Sequence, residues 1–271
     1  MNLSRQRVAL IVFFSIAFGF PWGAMLIARI RHVAFPEATF SFMIAAAFCS
    51  IGGVAATYVA TGTSGLKELA HRCVLYRVRV GWWLYALFLT PSVCAVATVI
   101  YGVVHGTVGP VRPAELLQQW WLVFIFIFNL FQGPLAEELG WRGFLLPRLL
   151  DKWSPLKASL ILGVVWAVWH MPAGLVTGGP YYFHTVPGTL LFTASTVALS
   201  ILMTVLFLHT RGSILLAIAM HWSVMPGKYV VGSLFPASQE PPDWLRAVVL
   251  ITAAVVAVGV TGRKLSLTPR A

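Results

Sequence analysis

Charge is what this sequence has least of. Only 10% of its 271 residues are charged, and just 8 are acidic, where a soluble domain carries about 25% charged residues. With 59% hydrophobic residues and a mean hydropathy of +0.83, too few polar side chains remain to cover a water-facing surface. Soluble enzyme folds and disordered chains are excluded. Cysteine is also scarce. Cys49, Cys73 and Cys94 show no metal-ligand spacing and imply no disulfide framework; Cys49 and Cys94 fall in apolar runs and read as small core residues. Repeats, low-complexity tracts and soluble domain boundaries are absent, so residues 1–271 read as a single integral membrane domain.

What is present is apolar sequence in lengths that cross a bilayer, which takes about 20 helical residues. Eight runs qualify: 8–28, 38–60, 81–104, 118–150, 158–177, 187–209, 213–232 and 244–260. The expected fold is all-α, a polytopic transmembrane bundle of about eight helices. The fourth run is too long for one straight span and is expected to bend near Pro134 or Pro147. The first run exceeds a signal-peptide core and has no small-x-small cleavage site, so it reads as a retained helix. Residues 64–80, basic and moderately amphipathic, suit either a helix on the lipid surface or a solvated loop.

The 19 basic residues give a net charge of +11. They lie mostly between apolar runs and form no basic groove with interleaved aromatics. Topology and contact with anionic lipid therefore explain them, and nucleic acid is not an expected partner. With the N-terminus inside, thirteen fall in cytoplasmic segments and five outside, Arg142 lying within a span. Both termini are then expected in the cytoplasm. Arginine outnumbers lysine 14 to 5 and the loops are short, which suits a bacterial inner membrane.

Ionisable groups within spans are expensive and mark structural pairs or sites. Here they are Glu137, Glu138, Arg142, His170 and His221. Glu137 lies thirteen residues before Leu150, and His170 thirteen after Lys157, on either side of one turn. Equal offsets in antiparallel helices give equal depth, about 20 Å from the turn, so the two can face one another. His221 enters from the same side and is expected somewhat shallower, within reach if its helix tilts or bends at Pro226. Glu138 and Arg142 are spaced i, i+4 and can pair, while Glu137 points about 100° away. An oriented glutamate with a histidine can hold and deprotonate water, and a further histidine can stabilise an oxyanion. Taken singly, each residue is at least as readily a packing or helix-tying group; their conjunction at compatible depths favours a site.

Residues about 117–232 resemble the CPBP family of intramembrane proteases. That family includes the type II CAAX prenyl endopeptidases and bacterial homologues linked to bacteriocin processing or immunity. Its EExxxR motif is matched by Glu137, Glu138 and Arg142. Its FxxxH motif is matched by Trp166 to His170, with Trp in place of Phe. The third motif, HxxxN, begins at His221 but has Met225 where the family usually has Asn. Thr210 to Ser213 resembles the turn leading into that helix, with Ser213 placed to cap it. The resemblance implies Glu137 and His170 as the water-activating pair, Glu138 and Arg142 as their support, and His221 with residue 225 for oxyanion stabilisation or metal contact. Glu137, Glu138, His170 and His221 are thus the candidate catalytic residues. Glu137, His170 and His221 would be the ligands if a divalent metal such as zinc takes part; a metal-free glutamate/histidine mechanism suits the same residues. A thioether cannot donate a hydrogen bond, so Met225 breaks the motif.

The expected activity is hydrolysis of a peptide bond in a membrane-associated protein or peptide, with membrane lipid as the other partner. The alternative is a catalytically silent relative acting as an immunity or partner protein. A transporter with a polar midplane is a weaker third reading, because no matching halves are found.

Overall fold

The computed structural model describes residues 3–34, 37–176, 181–235 and 240–266. Among these residues the regular structure is entirely helical. Three long helices come first: α1 (Leu3–Ile30), α2 (Glu37–Cys73) and α3 (Val80–His105). Gly62 breaks the ladder of α2 with φ 68° and ψ −154°, a left-handed conformation that glycine adopts without a Cβ penalty. Of the two readings of residues 64–80, the helical one holds as far as Cys73, where α2 ends; residues 74–79 form the link to α3.

The long fourth run is broken more thoroughly than one bend. A short α4 (Pro113–Gln118) precedes α5 (Leu122–Gln132), and α6 (Pro134–Glu138) follows after Gly133. The chain then runs as a π-helix over Leu139–Leu145 before α7 (Leu146–Leu150). A π turn, with hydrogen bonds from i to i+5, holds an extra residue per turn and re-aims the side chains around it. Both prolines singled out in the sequence bracket this segment.

Ser154 caps α8 (Pro155–His170), accepting from the Lys157 amide at 3.4 Å. After α9 (Val186–His209), Ser213 caps α10 (Ile214–Trp222) by accepting from Leu216 at 3.2 Å, as its position implied. Helix α11 (Val224–Leu234) continues at an angle of 41°, and α12 (Asp243–Thr261) closes the chain. Among the described residues, seven helical stretches are long and apolar enough to cross a membrane, and the α10–α11 pair makes an eighth if it counts as one bent span. The protein is an integral membrane protein.

Small residues let the site helix approach its neighbour. A Cβ on Gly53 of α2 would lie 2.6 Å from the Leu139 carbonyl oxygen, and one on Gly140 would lie 2.5 Å from that of Cys49. Dispersion and packing, rather than expulsion of water, hold helices together in lipid, so this closeness is itself stabilising. Around it sit the fully buried Phe13, Trp141, Phe144 and Trp169, with Phe13 and Trp141 edge-to-face at 5.7 Å.

Candidate active site

The structure brings the ionisable intramembrane residues into one region where α6, the π turn, α8 and α10 meet. Glu138 and Arg142 pair across one turn at 2.9 Å, both fully buried. The same Glu138 oxygen, Oε1, accepts from Nδ1 of His221 at 2.8 Å. A carboxylate oxygen only accepts, so Nδ1 carries the proton and Nε2 is the atom His221 offers elsewhere.

Glu137, 3% exposed, points another way. Its Oε2 accepts from two indoles, Trp141 at 2.9 Å and Trp166 at 2.6 Å. Among the described residues no lysine or arginine forms an ion pair with it. Its other oxygen faces Gly133: a Cβ there would lie 3.6 Å from Glu137 Oε1 and 3.2 Å from His221 Nε2. The glycine at the helix break therefore leaves open a small space onto which a carboxylate oxygen and an imidazole nitrogen both look.

His170 and Glu137 meet through Trp166. The Trp166 indole donates to Glu137, and its backbone carbonyl accepts from His170 Nδ1 at 2.9 Å. The equal-offset argument puts His170 opposite Glu137; the direct contact falls one helical turn earlier, on Trp166. The π segment holds more residues per turn than the α-helix assumed, which moves Glu137 along the hairpin toward Trp166. Nδ1 of His170 must donate to a carbonyl, so here too Nε2 is left available. The His170 ring lies edge-on to Trp169 at 4.8 Å and Phe192 at 5.4 Å. Arg142 sits over the Trp166 ring, 4.5 Å from its centroid.

Met225 lies beyond the end of α10 with 48% of its surface uncovered by protein. Among the described residues, no three His, Cys, Asp or Glu side chains gather as a metal-binding group. Glu137, His170 and His221 each keep an uncommitted atom of a suitable type and would be the residues to hold a divalent metal.

Three contributors escaped the sequence reading. Trp141 follows Glu137 at i+4, the same spacing that revealed the Glu138–Arg142 pair, so its role was within reach of that rule. Trp166 stands in the sequence as a motif aromatic, and only the fold gives its N–H a partner. Gly133 acts by what it lacks, and only the fold puts it against His221. The buried Cys49 also contacts the site, its Sγ lying 3.6 Å from the Glu137 carbonyl oxygen.

Residues 119–225 match the family described as type II CAAX prenyl endopeptidase Rce1-like. Over 101 residues the chain is 34% identical to the CAAX prenyl protease 2 of Methanococcus maripaludis, covering 36% of this chain and 37% of that protein. The matched part is thus little more than a third of the curated relative's length. The family match spans Glu137, Glu138, Arg142, His170 and His221 and ends on Met225.

Proposed function

We propose that this chain is an intramembrane endopeptidase that hydrolyses a peptide bond of a membrane-associated protein or peptide. The observation that carries the reading is Glu137: a buried carboxylate without a paired cation, held by two indoles through one oxygen and facing an open space through the other. Holding Oε2 fixes the orientation of Oε1. A water molecule beside Gly133 gives its proton to Oε1, and its oxygen attacks the carbonyl carbon of the scissile bond. His170 Nε2 accepts the water's second hydrogen and aligns it. His221 donates an Nε2–H to the developing oxyanion, while Glu138 holds the ring by Nδ1. Collapse breaks the C–N bond, and Glu137 returns its proton to the leaving amine. Arg142 balances Glu138, so that two adjacent carboxylates can share one apolar region.

Residue 119–225 similarity to prenyl endopeptidases supports this reaction class. Prenylation of the substrate would follow from the relative's name, not from any residue described above. The test is cleavage of a membrane-anchored peptide by protein in liposomes. Glu137→Gln, which keeps the shape and an acceptor but loses the base, is expected to lower turnover by about 10²- to 10⁴-fold; full turnover would sink the reading. A chelator arm tests metal dependence directly: turnover that survives it leaves the glutamate and histidines to act alone, and lost turnover gives them a metal to hold.

The silent-relative reading keeps one specific support, the loss of the family's amide at Met225. Under it, the biological effect persists when Glu137 and His170 are replaced.

A further inference from the structure

The turn before α7 contains an unusual backbone fault. The Leu146 amide reaches back five residues to the Trp141 carbonyl, in the π register. The next amide in that register would serve the Arg142 carbonyl, but residue 147 is proline and has no N–H. In the α register the same missing amide would have served Gly143. A buried carbonyl without a donor is costly, so a donor is needed from elsewhere.

Arg72 supplies it. Its Nη2 donates to the Arg142 carbonyl at 2.8 Å and its Nη1 to that of Gly143 at 3.4 Å. Its Nε donates at 2.8 Å to the Gly212 carbonyl, in the turn just before α10. Gly212 has φ +74°, and a Cβ there would come within 3.1 Å of Arg72 Nε, so glycine suits both the turn and the guanidinium. The Arg72 side chain also lies over the Phe207 ring, 5.0 Å from its centroid. This residue, one of the basic groups of the segment after the second apolar run, turns its side chain inward at the end of α2.

One planar group therefore joins the segment carrying Glu137, Glu138 and Arg142 to the turn that launches the helix carrying His221. Those two segments meet again at the Glu138–His221 hydrogen bond. We propose that Arg72 is a positioning residue: its fork sets the distance between the π turn and α10, and thereby keeps His221 on Glu138 with Nε2 facing Glu137. Three bonds to two segments need the rigid, multi-donor shape of guanidinium; an ammonium on a flexible stem cannot make them together.

The turnover arm of the test rests on the proposed endopeptidase activity, and the spectroscopic arm does not. In full-length reconstituted protein, Arg72→Lys is expected to lower kcat by about 10- to 100-fold, as for a small misplacement of a reacting group, with KM nearly unchanged. Arg77→Lys, on an exposed side chain nearby, should leave both as they are. With ¹⁵N-labelled histidine, His221 in the unmutated protein should show one Nδ1–H signal, its proton donated to Glu138, and Arg72→Lys should lose it. Pro147→Ala in the Arg72→Lys background restores an N–H for Arg142 but no tie to Gly212. It should recover thermal stability without recovering kcat. Unchanged kcat in Arg72→Lys, an unchanged His221 signal, or recovery of kcat by Pro147→Ala would each overturn the assignment. If Arg72→Lys does not fold, the unmutated protein still decides: Arg72 guanidinium protons that exchange with water as fast as those of Arg77 would overturn it. An unmutated protein that holds the His221 signal but cleaves nothing would count against the endopeptidase reading and not against Arg72.

Discussion

Glu137 and Glu138 are chemically identical neighbours, yet the fold gives them opposite surroundings. Glu138 shares one oxygen between a guanidinium and an imidazole, whereas Glu137 is held by indole N–H groups and keeps an oxygen free. Trp166→Phe keeps most of the ring but removes the 2.6 Å donor. A hydrogen bond to a charged group is worth about 1.5–3 kcal/mol, so thermal stability in detergent should fall, and turnover by about tenfold or more as Glu137 loses its orientation. Gly133→Ala should raise helix propensity by about 1 kcal/mol yet abolish cleavage, because its Cβ would enter the space between Glu137 Oε1 and His221 Nε2. A Gly133→Ala enzyme that cleaves normally would show that the water sits elsewhere. Met225→Asn should alter turnover by less than about threefold, since the side chain stands half-uncovered past the end of α10. A large gain would instead mean that the missing oxyanion donor limits the rate, which is worth about 10²–10³ where it has been removed elsewhere.

At the scale of elements, the contact between α2 and the π turn depends on glycine at both faces. Gly140→Ala would drive a Cβ to 2.5 Å from the Cys49 carbonyl oxygen. Backbone must then separate, and overpacking of this kind costs about 1–3 kcal/mol. The expected result is a lowered unfolding temperature together with lost activity, since the same turn carries Arg142. Far from this crossing, Glu240 ties α11 to α12, meeting Lys228 at 2.8 Å and Arg246 at 2.9 Å. The hydrogen bond from Lys228, with a further one from Arg246, holds the Glu240 carboxyl below the ordinary carboxylate range. A depressed pKa in the folded state contributes stability above the unfolded value, lost as pH falls through the folded one. Acidification below the ordinary carboxylate range should therefore loosen this tie, and Glu240→Gln should remove that part of the acid sensitivity. The side chain is 63% exposed, so the effect is small and shrinks further in salt.

For the molecule as a whole, the split of basic residues, thirteen against five, sets an expectation of topology. Single cysteines introduced at Ser4 and Ser266 in a background without Cys49, Cys73 and Cys94 should both resist a membrane-impermeant maleimide in intact cells. One at Val111 should react. Labelling at either Ser4 or Ser266 would invert the assignment of the segments joined to it.

Most of the fold's gross plan was legible in the sequence, because long apolar runs can be satisfied only by helices that pair their own backbone groups in lipid. The Glu138–Arg142 pair was legible for a similar reason: i, i+4 spacing acts within one helix and needs no partner element. The break beside Pro134 was legible too, since a proline interrupts the ladder locally; the π turn was not, since it depends on what a neighbouring helix presents to the chain.

By itself, then, the sequence determined that this is a helical membrane protein with a few costly ionisable groups within its apolar runs. Local hydrogen bonding and the hydrophobicity of the bilayer are enough for that. Only the tertiary structure decided which atoms of those groups stay free. It turned Nδ1 of both histidines inward, gave Glu137 to two indoles, and used Arg72 to answer an amide missing at Pro147. The Trp141 and His170 bonds span four residues and obey a local rule, but the Trp166, His221 and Arg72 bonds join segments 29 to 140 residues apart, and no local rule of spacing reaches so far.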